Sequence, residues 1–195
     1  RPDGRTAKFV AKAGRRFLMG DDSLLRAVVE ELEVEGFRVQ EPHQILGDLL
    51  APHGTLTKVK PGPEDWEDIR RGIAVVEGLS ALDIGQGCVV QRGIVLAVEA
   101  AEGTDRMIAR CPDLLREGEG GVLVKLRKTG QETRADMPTI GPETVRAAAA
   151  AGLAGIAFEA AGAWLVDREE SVTDADRLGL FLAGVDPVDV KARGR

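Results

Sequence analysis

The feature that most constrains this chain is a set of short apolar runs bounded by turn residues. Two of them lie between Cys88 and Ala100 on either side of Arg92-Gly93, and a third runs from Val122 to Leu126. Such runs suit buried strands, and Arg92-Gly93 suits a hairpin or tightly turned strand pair. They predict the centre of a sheet. The chain has no tyrosine, five phenylalanines and two tryptophans, so its core must draw mainly on Ala, Val, Leu and Ile. That supply suits helices laid on a sheet, and the expected class is α/β, a mixed sheet flanked by helices. Few aromatics leave no stacking platform for nucleic-acid bases, and a net charge of −6 weakens nonspecific attraction to phosphate backbones. No nucleic-acid partner is expected.

Around the central runs the pattern is helical. Asp21, Asp22 and Ser23 offer caps to a helix through Leu24, Leu25, Val28, Val29 and Leu32, with Gly36 placed to end it. Phe37, Val39 and Ile45 suggest a short strand, and a loop follows to about Gly62. Pro63, with Glu64 and Asp65 behind it, opens a helix carrying Trp66, Ile69, Ile73 and Val76 on one face and ending near Gly78 to Ser80. Pro142 and Glu143 start an alanine-rich helix that stops at Gly152; Ile156 to Phe158 and Trp164 to Val166 read as strands around Ala161-Gly162. A last helix is expected over Ala175 to Ala183, and the charged residues 187–195 read as a flexible tail.

Residues 1–20 form a basic segment, with six bases against Asp3 between Arg1 and Arg16. It reads as a solvated linker, or as an arm drawn to anionic lipid or phosphate. Arg1-Pro2-Asp3-Gly4-Arg5 resembles the interior of a longer chain, so an N-terminal part is expected to precede it. No apolar run approaches the roughly 20 residues that span a bilayer, which leaves peripheral contact with a membrane. Cys88 and Cys111, without any CxxC, fit a reduced, cytoplasmic protein with buried structural thiols. His43 and His53 lack metal-ligand spacing and read as ordinary loop residues.

Three stretches could carry chemistry. In Leu82-Asp83-Ile84-Gly85-Gln86-Gly87, glycines allow close backbone approach, and Asp83 or Gln86 could fix a sugar or base edge; the same residues also serve to turn the chain. In Glu99 to Asp105, the carboxylates Glu99, Glu102 and Asp105 could hold a hard cation, Mg²⁺ in preference to zinc. Equally, Thr104 could simply cap the helix through Met107 and Ile108. The stretch from Lys125 to Gly141 mixes four bases with Glu132 and Asp136 before a helix start, a combination that suits phosphate, although an exposed charged loop has the same composition.

In that order, LDIGQG, GIVLAVEAAEGTD and KTGQETRADMPTIG resemble the C-terminal domain of LpxI-type UDP-2,3-diacylglucosamine pyrophosphatases. The resemblance covers residues 21–186 as a catalytic α/β domain, with the basic residues 1–20 as the linker entering it. It implies hydrolysis of UDP-2,3-diacylglucosamine to UMP and 2,3-diacylglucosamine 1-phosphate in lipid A biosynthesis, with a divalent cation, Mg²⁺. It implies Asp136 as the essential carboxylate, and brings Lys125, Gln131, Arg134 and Thr139 forward as phosphate or sugar contacts. It also implies a homodimer, a place in the cytoplasm at the inner membrane, and a Rossmann-like N-terminal domain expected to lie before Arg1. A fragment lacking that domain would turn over inefficiently. Two readings from other classes stand beside it: a hydrolase or transferase of a soluble sugar nucleotide, and a noncatalytic sugar-nucleotide-binding module.

Overall fold

The structure is a computed structural model that describes Gly4, residues 21–128, Gly130, Thr133, Arg134 and residues 136–192. The basic segment before residue 21, apart from Gly4, lies outside these residues, as does the end of the tail beyond 192. The chain divides into two compact units. One takes in the chain up to Gly47 together with Gly130–Met137; the other takes in Asp48–Thr129 and Pro138–Arg195.

In the first unit, helix α1 (Asp21–Val34) follows the helical spacing of its apolar residues. Ala27 and Val29 are buried, while Val28 and Leu32 remain exposed. Its end is a Schellman turn, with Gly36 N–H donating to Glu33 O and Phe37 N–H to Leu32 O, each at 3.0 Å. The strand expected over Phe37 to Ile45 does not form. Residues 37–40 are irregular and Pro42–Ile45 makes a short helix, α2. Phe37 and Ile45 are exposed, so nothing buries a strand face there.

The second unit carries a six-stranded mixed sheet in the order β1-β8-β6-β4-β2-β3. Its strands are β1 (Gly54–Thr55), β2 (Gly87–Gln91), β3 (Ile94–Val98), β4 (Val122–Lys125), β6 (Gly155–Glu159) and β8 (Phe181–Val185). β4, β6 and β8 run parallel to one another, whereas β2 is antiparallel to both β3 and β4. The turn between β2 and β3 has positive φ at both central residues, 52° at Arg92 and 76° at Gly93, the I′ form whose twist matches that of a hairpin. A second, two-stranded parallel sheet pairs β5 (Thr139–Ile140) with β7 (Trp164–Leu165).

Period-two alternation sends neighbouring strand residues to opposite faces, and each face has its own core. Cys88, Val90, Val122, Val124 and Phe181 pack with Ile69, Ile73 and Val76 of α3 (Pro63–Ala81). Val89, Leu123, Ile156, Phe158 and Leu182 pack on the other side. There they meet Met107 and Ile108 of α4 (Gly103–Ala109), Val145 and Ala148 of α5 (Pro142–Ala150), and Ala175 of α6 (Arg168–Leu178).

Two expectations near the end of the chain are corrected. The last helix does not reach Ala183: α6 stops at Leu178, Gly179 turns the chain at φ 78°, and Phe181–Val185 is a fully buried strand. A continuous apolar run buried on both faces beats helix propensity at this position. Residues 187–192 are no loose tail either, because Pro187–Ala192 forms helix α7 and Val190 is buried. The strands about Ala161-Gly162 form as expected, but they belong to different sheets and do not pair with each other.

Candidate functional site

At one end of β2, β3 and β4, the loop before β2 and the start of α4 bring a base, a hydroxyl and a carboxylate together. The Lys125 side chain leaves the last residue of β4 and is 4% exposed; Glu99, just past β3, is 7% exposed. Lys125 Nζ donates to Thr104 Oγ1 at 2.8 Å, and Thr104 Oγ1 donates to Glu99 Oε1 at 2.8 Å. The polarity of this chain is fixed. A carboxylate only accepts and an ammonium only donates, so the threonine hydrogen points to Glu99 and its lone pairs face Lys125. Lys125 Nζ also lies 3.4 Å from the carbonyl oxygen of Thr139 in β5.

The glycines of the LDIGQG segment allow this packing. A Cβ on Gly85 would stand 2.1 Å from the Glu99 carbonyl oxygen, and one on Gly87 would stand 2.7 Å from Glu99 Oε2. Close approach, foreseen for a ligand, is used by the protein's own Glu99. Asp83 pairs with Lys128 at 2.9 Å, and the backbone carbonyl of Gln86 accepts the Leu126 N–H at 3.0 Å. These contacts tie the loop before β2 to the segment after β4.

Thr139 opens toward a second feature. With Gly141, Thr144, Arg146 and Glu170 it lines a cleft of about 410 Å³ at the start of α5. Arg146 is engaged by Asp174 at 2.6 Å and also pairs with Glu170.

Asp136 belongs to the other unit, as does Arg134. The residues around it are held by side chains far away in sequence. Arg134 pairs with Glu33 at 2.6 Å, Thr133 donates its hydroxyl to Glu41, and Arg26 donates to the Gly130 carbonyl. Gln131 lies outside the described residues.

The three carboxylates expected to bind a cation are not gathered. Glu102 is taken by Arg110 at 2.8 Å, and its own backbone N–H together with that guanidinium holds its carboxyl below the ordinary range. Asp105 is exposed on the first turn of α4, and Glu99 faces Thr104. Among the described residues, no cluster of three His, Cys, Asp or Glu side chains is arranged to hold a metal ion. Mg²⁺ does not fit a three-carboxylate cage built from Glu99, Glu102 and Asp105. Thr104 does not cap α4: it lies inside the helix, and its hydroxyl goes to Glu99.

Neither cysteine is activated. Burial pushes the Cys88 thiol up to about 12 and raises that of Cys111 as well. Their thiols donate to backbone carbonyls of Gly72 and Met107. Among the described residues, no helix is long and apolar enough to cross a membrane.

Residues 52–183 match the LpxI C-terminal domain and residues 1–49 match the LpxI N-terminal domain. The chain belongs to the LpxI family. It is 48% identical over 192 residues to UDP-2,3-diacylglucosamine pyrophosphatase LpxI of Caulobacter vibrioides, a match that covers 95% of this chain and 69% of that protein. The match to residues 1–49 corrects the expectation that N-terminal-domain sequence would lie entirely before Arg1, with 1–20 as a linker and the C-terminal domain starting at 21. One amphipathic helix and a basic run gave too weak a pattern to identify that domain. Gly130–Met137 lies within the matched C-terminal sequence yet packs in the same unit as the N-terminal residues.

Proposed function

We propose that this chain hydrolyses the pyrophosphate bond of UDP-2,3-diacylglucosamine, releasing UMP and 2,3-diacylglucosamine 1-phosphate for lipid A biosynthesis. The observation that carries this reading is 48% identity over 95% of the chain to a UDP-2,3-diacylglucosamine pyrophosphatase. Water attacks one phosphorus of the anhydride, the bridging P–O bond breaks, and the other phosphate leaves with the electron pair. Asp136 orients that water and accepts its proton, an assignment supported by the resemblance of RADMPTIG to the family motif. Lys125 neutralises charge on the diphosphate.

Asp83, Gln86 and Thr139 are proposed contacts to the sugar nucleotide. Gln131 and Arg134 complete the motif, with Arg134 also anchoring its own segment through Glu33. A divalent cation such as Mg²⁺, commonly held by one or two carboxylates plus substrate phosphates, would be met on the protein side by Asp136 and would draw charge from the diphosphate. Exposed apolar side chains such as Val28, Leu32 and Phe37 in the first unit support contact with a lipid surface, in keeping with a peripheral protein on the cytoplasmic face.

The test is release of UMP from the diacylated substrate by the full-length protein, with and without Mg²⁺, set beside unacylated UDP-glucosamine. Replacing Asp136 by Ala is expected to lower turnover by at least about 10²-fold. Near-normal turnover by that variant removes Asp136 from the mechanism. Preference for the unacylated compound would replace this reading with that of a soluble sugar-nucleotide hydrolase.

A further inference from the structure

We propose that Thr104 and Glu99 are positioning residues that act through Lys125, setting where its ammonium meets the diphosphate. The inference rests on the reading of Lys125 given above and extends it to two residues that do not themselves touch substrate.

A lysine 4% exposed cannot rely on water to solvate its charge, so the protein must supply acceptors and a counter-charge. Thr104 Oγ1 is one acceptor, at 2.8 Å, and the Thr139 carbonyl is near a second, at 3.4 Å. A negative charge, that of Glu99, lies one hydroxyl further away. Because Glu99 spends Oε1 on the threonine hydrogen, the hydroxyl cannot turn round and compete as a donor for the site that Lys125 occupies. Glu99 Oε2 is buried with no hydrogen-bond partner among the described residues, and the space it fills is the space that a Cβ on Gly87 would take. A buried carboxylate oxygen without a partner is costly, and a fold retains such a group where its charge has a use. Here the carboxylate acts on the neighbouring ammonium through an intervening hydroxyl, which fixes the hydrogen-bond acceptor that Lys125 Nζ meets at Thr104.

The experiment measures steady-state turnover of UDP-2,3-diacylglucosamine by the full-length protein carrying T104V, T104S, K125M, or T104V with K125M, each checked for folding by its thermal melt. Valine keeps the shape and removes the hydrogen-bonding group. T104V is expected to lower kcat by about ten- to a hundredfold, the range for losing one hydrogen bond to a charged group, with KM changed far less. T104S recovers most of the rate because the hydroxyl is restored. On top of K125M, T104V costs nothing further, since Thr104 has lost the group through which it acts. A purely structural threonine would give losses that add in full to those of K125M. Full additivity, or T104V turning over at the wild-type rate while K125M is impaired, overturns the relay. K125M at the wild-type rate overturns it too, and in addition removes Lys125 from the proposed reaction.

Discussion

Arg134 and Glu33 lie 2.6 Å apart, nitrogen to oxygen, and bring together residues separated by 101 positions in sequence. Arg134 sits in the motif that bears Asp136, and Glu33 sits near the end of α1. With Thr133 bonded to Glu41, the pair fixes the motif segment to the unit that the N-terminal residues build. Partly exposed ion pairs contribute little to stability, about 1 kcal/mol at most, so the thermal melt of E33Q should barely move. Its effect should fall on catalysis. E33Q is expected to lower turnover several-fold, and in the double variant its loss and that of R134Q should overlap instead of multiplying. Steady-state kinetics of the two single variants and the double variant check this, and full multiplication would show that Arg134 works independently of Glu33.

The β2–β3 turn makes a separate demand on α3. Asp68, 3% exposed, accepts the Arg92 N–H at 2.8 Å on one carboxylate oxygen and the Gly93 N–H at 2.6 Å on the other. Hydrogen bonds to a charged group contribute about 1.5–3 kcal/mol each, and leaving two backbone donors unsatisfied in a half-buried turn adds to the loss. Asp68→Ala is expected to destabilise the second unit by about 3 kcal/mol, read as a lower urea midpoint with an unchanged slope. Asp68→Asn, which keeps one acceptor, should fall between Ala and the wild type.

Gly85 and Gly87 should respond differently to the same change. An Ala at 85 meets backbone, with Cβ at 2.1 Å from the Glu99 carbonyl oxygen, whereas an Ala at 87 meets the end of the Glu99 side chain at 2.7 Å. Backbone cannot step aside without disturbing β3, so G85A should cost about 3 kcal/mol or more and express poorly. A carboxylate can rotate, so G87A should fold, at a cost of about 1–2 kcal/mol. Rotation takes Glu99 off Thr104, however, and G87A should therefore lose turnover out of proportion to its melting temperature. Thermal denaturation and kinetics on the same preparations separate the two outcomes.

The sequence carried the sheet centre well and its surroundings less well, for physical reasons that differ by element. The runs that become β2 and β4 are bounded by turn residues and fully buried, so period and punctuation agree there, whereas β3, expected at the centre as well, takes the edge of the sheet and is only partly buried. Phe181–Val185 defeated the same reasoning because a short apolar run beside a helical pattern reads equally well as more helix; only its neighbours β1 and β6 decide the matter. Phe37, Val39 and Ile45 alternate like a strand, but Phe37 and Ile45 have no partner surface to bury them. At the site, Glu99, Thr104 and Lys125 were each legible as polar residues near strand ends. Their order as a chain of hydrogen bonds was not, because the spacing between residues 99, 104 and 125 is set by the pairing of β2 with β3 and β4, which is tertiary information. Glu102 and Asp105 illustrate the converse. Three acids within seven residues suggest a cation site, yet side chains that start close in sequence diverge where the chain enters a helix.

Two aspartates should move the acid stability of the protein in opposite directions. Asp65 has its carboxyl raised above 3.8 by burial, against the opposing bond from the Gly62 N–H, and by the nearby negative charges of Glu119, Asp68 and Glu64. A carboxyl raised on folding binds its proton more readily in the folded state. Its contribution therefore favours unfolding once both states are ionised and fades as pH falls through the folded pKa toward 3.8. Asp65→Asn keeps an acceptor for Gly62 and removes the charge, so it should raise the melting temperature at neutral pH, with the gain vanishing in acid. Asp174 is the reverse case, held below 3.8 by the hydrogen bond from Arg177 and then by that from Arg146. Its contribution is present above 3.8 and is lost as pH falls through the lower, folded value. Asp174→Asn should accordingly lower the melting temperature at neutral pH, and the deficit should close only below 3.8. Melting curves of both variants and the wild type from about pH 7 to about pH 3 test the two signs together. A difference that stays constant with pH for either variant would mean that the substitution acts through packing and not through the charge.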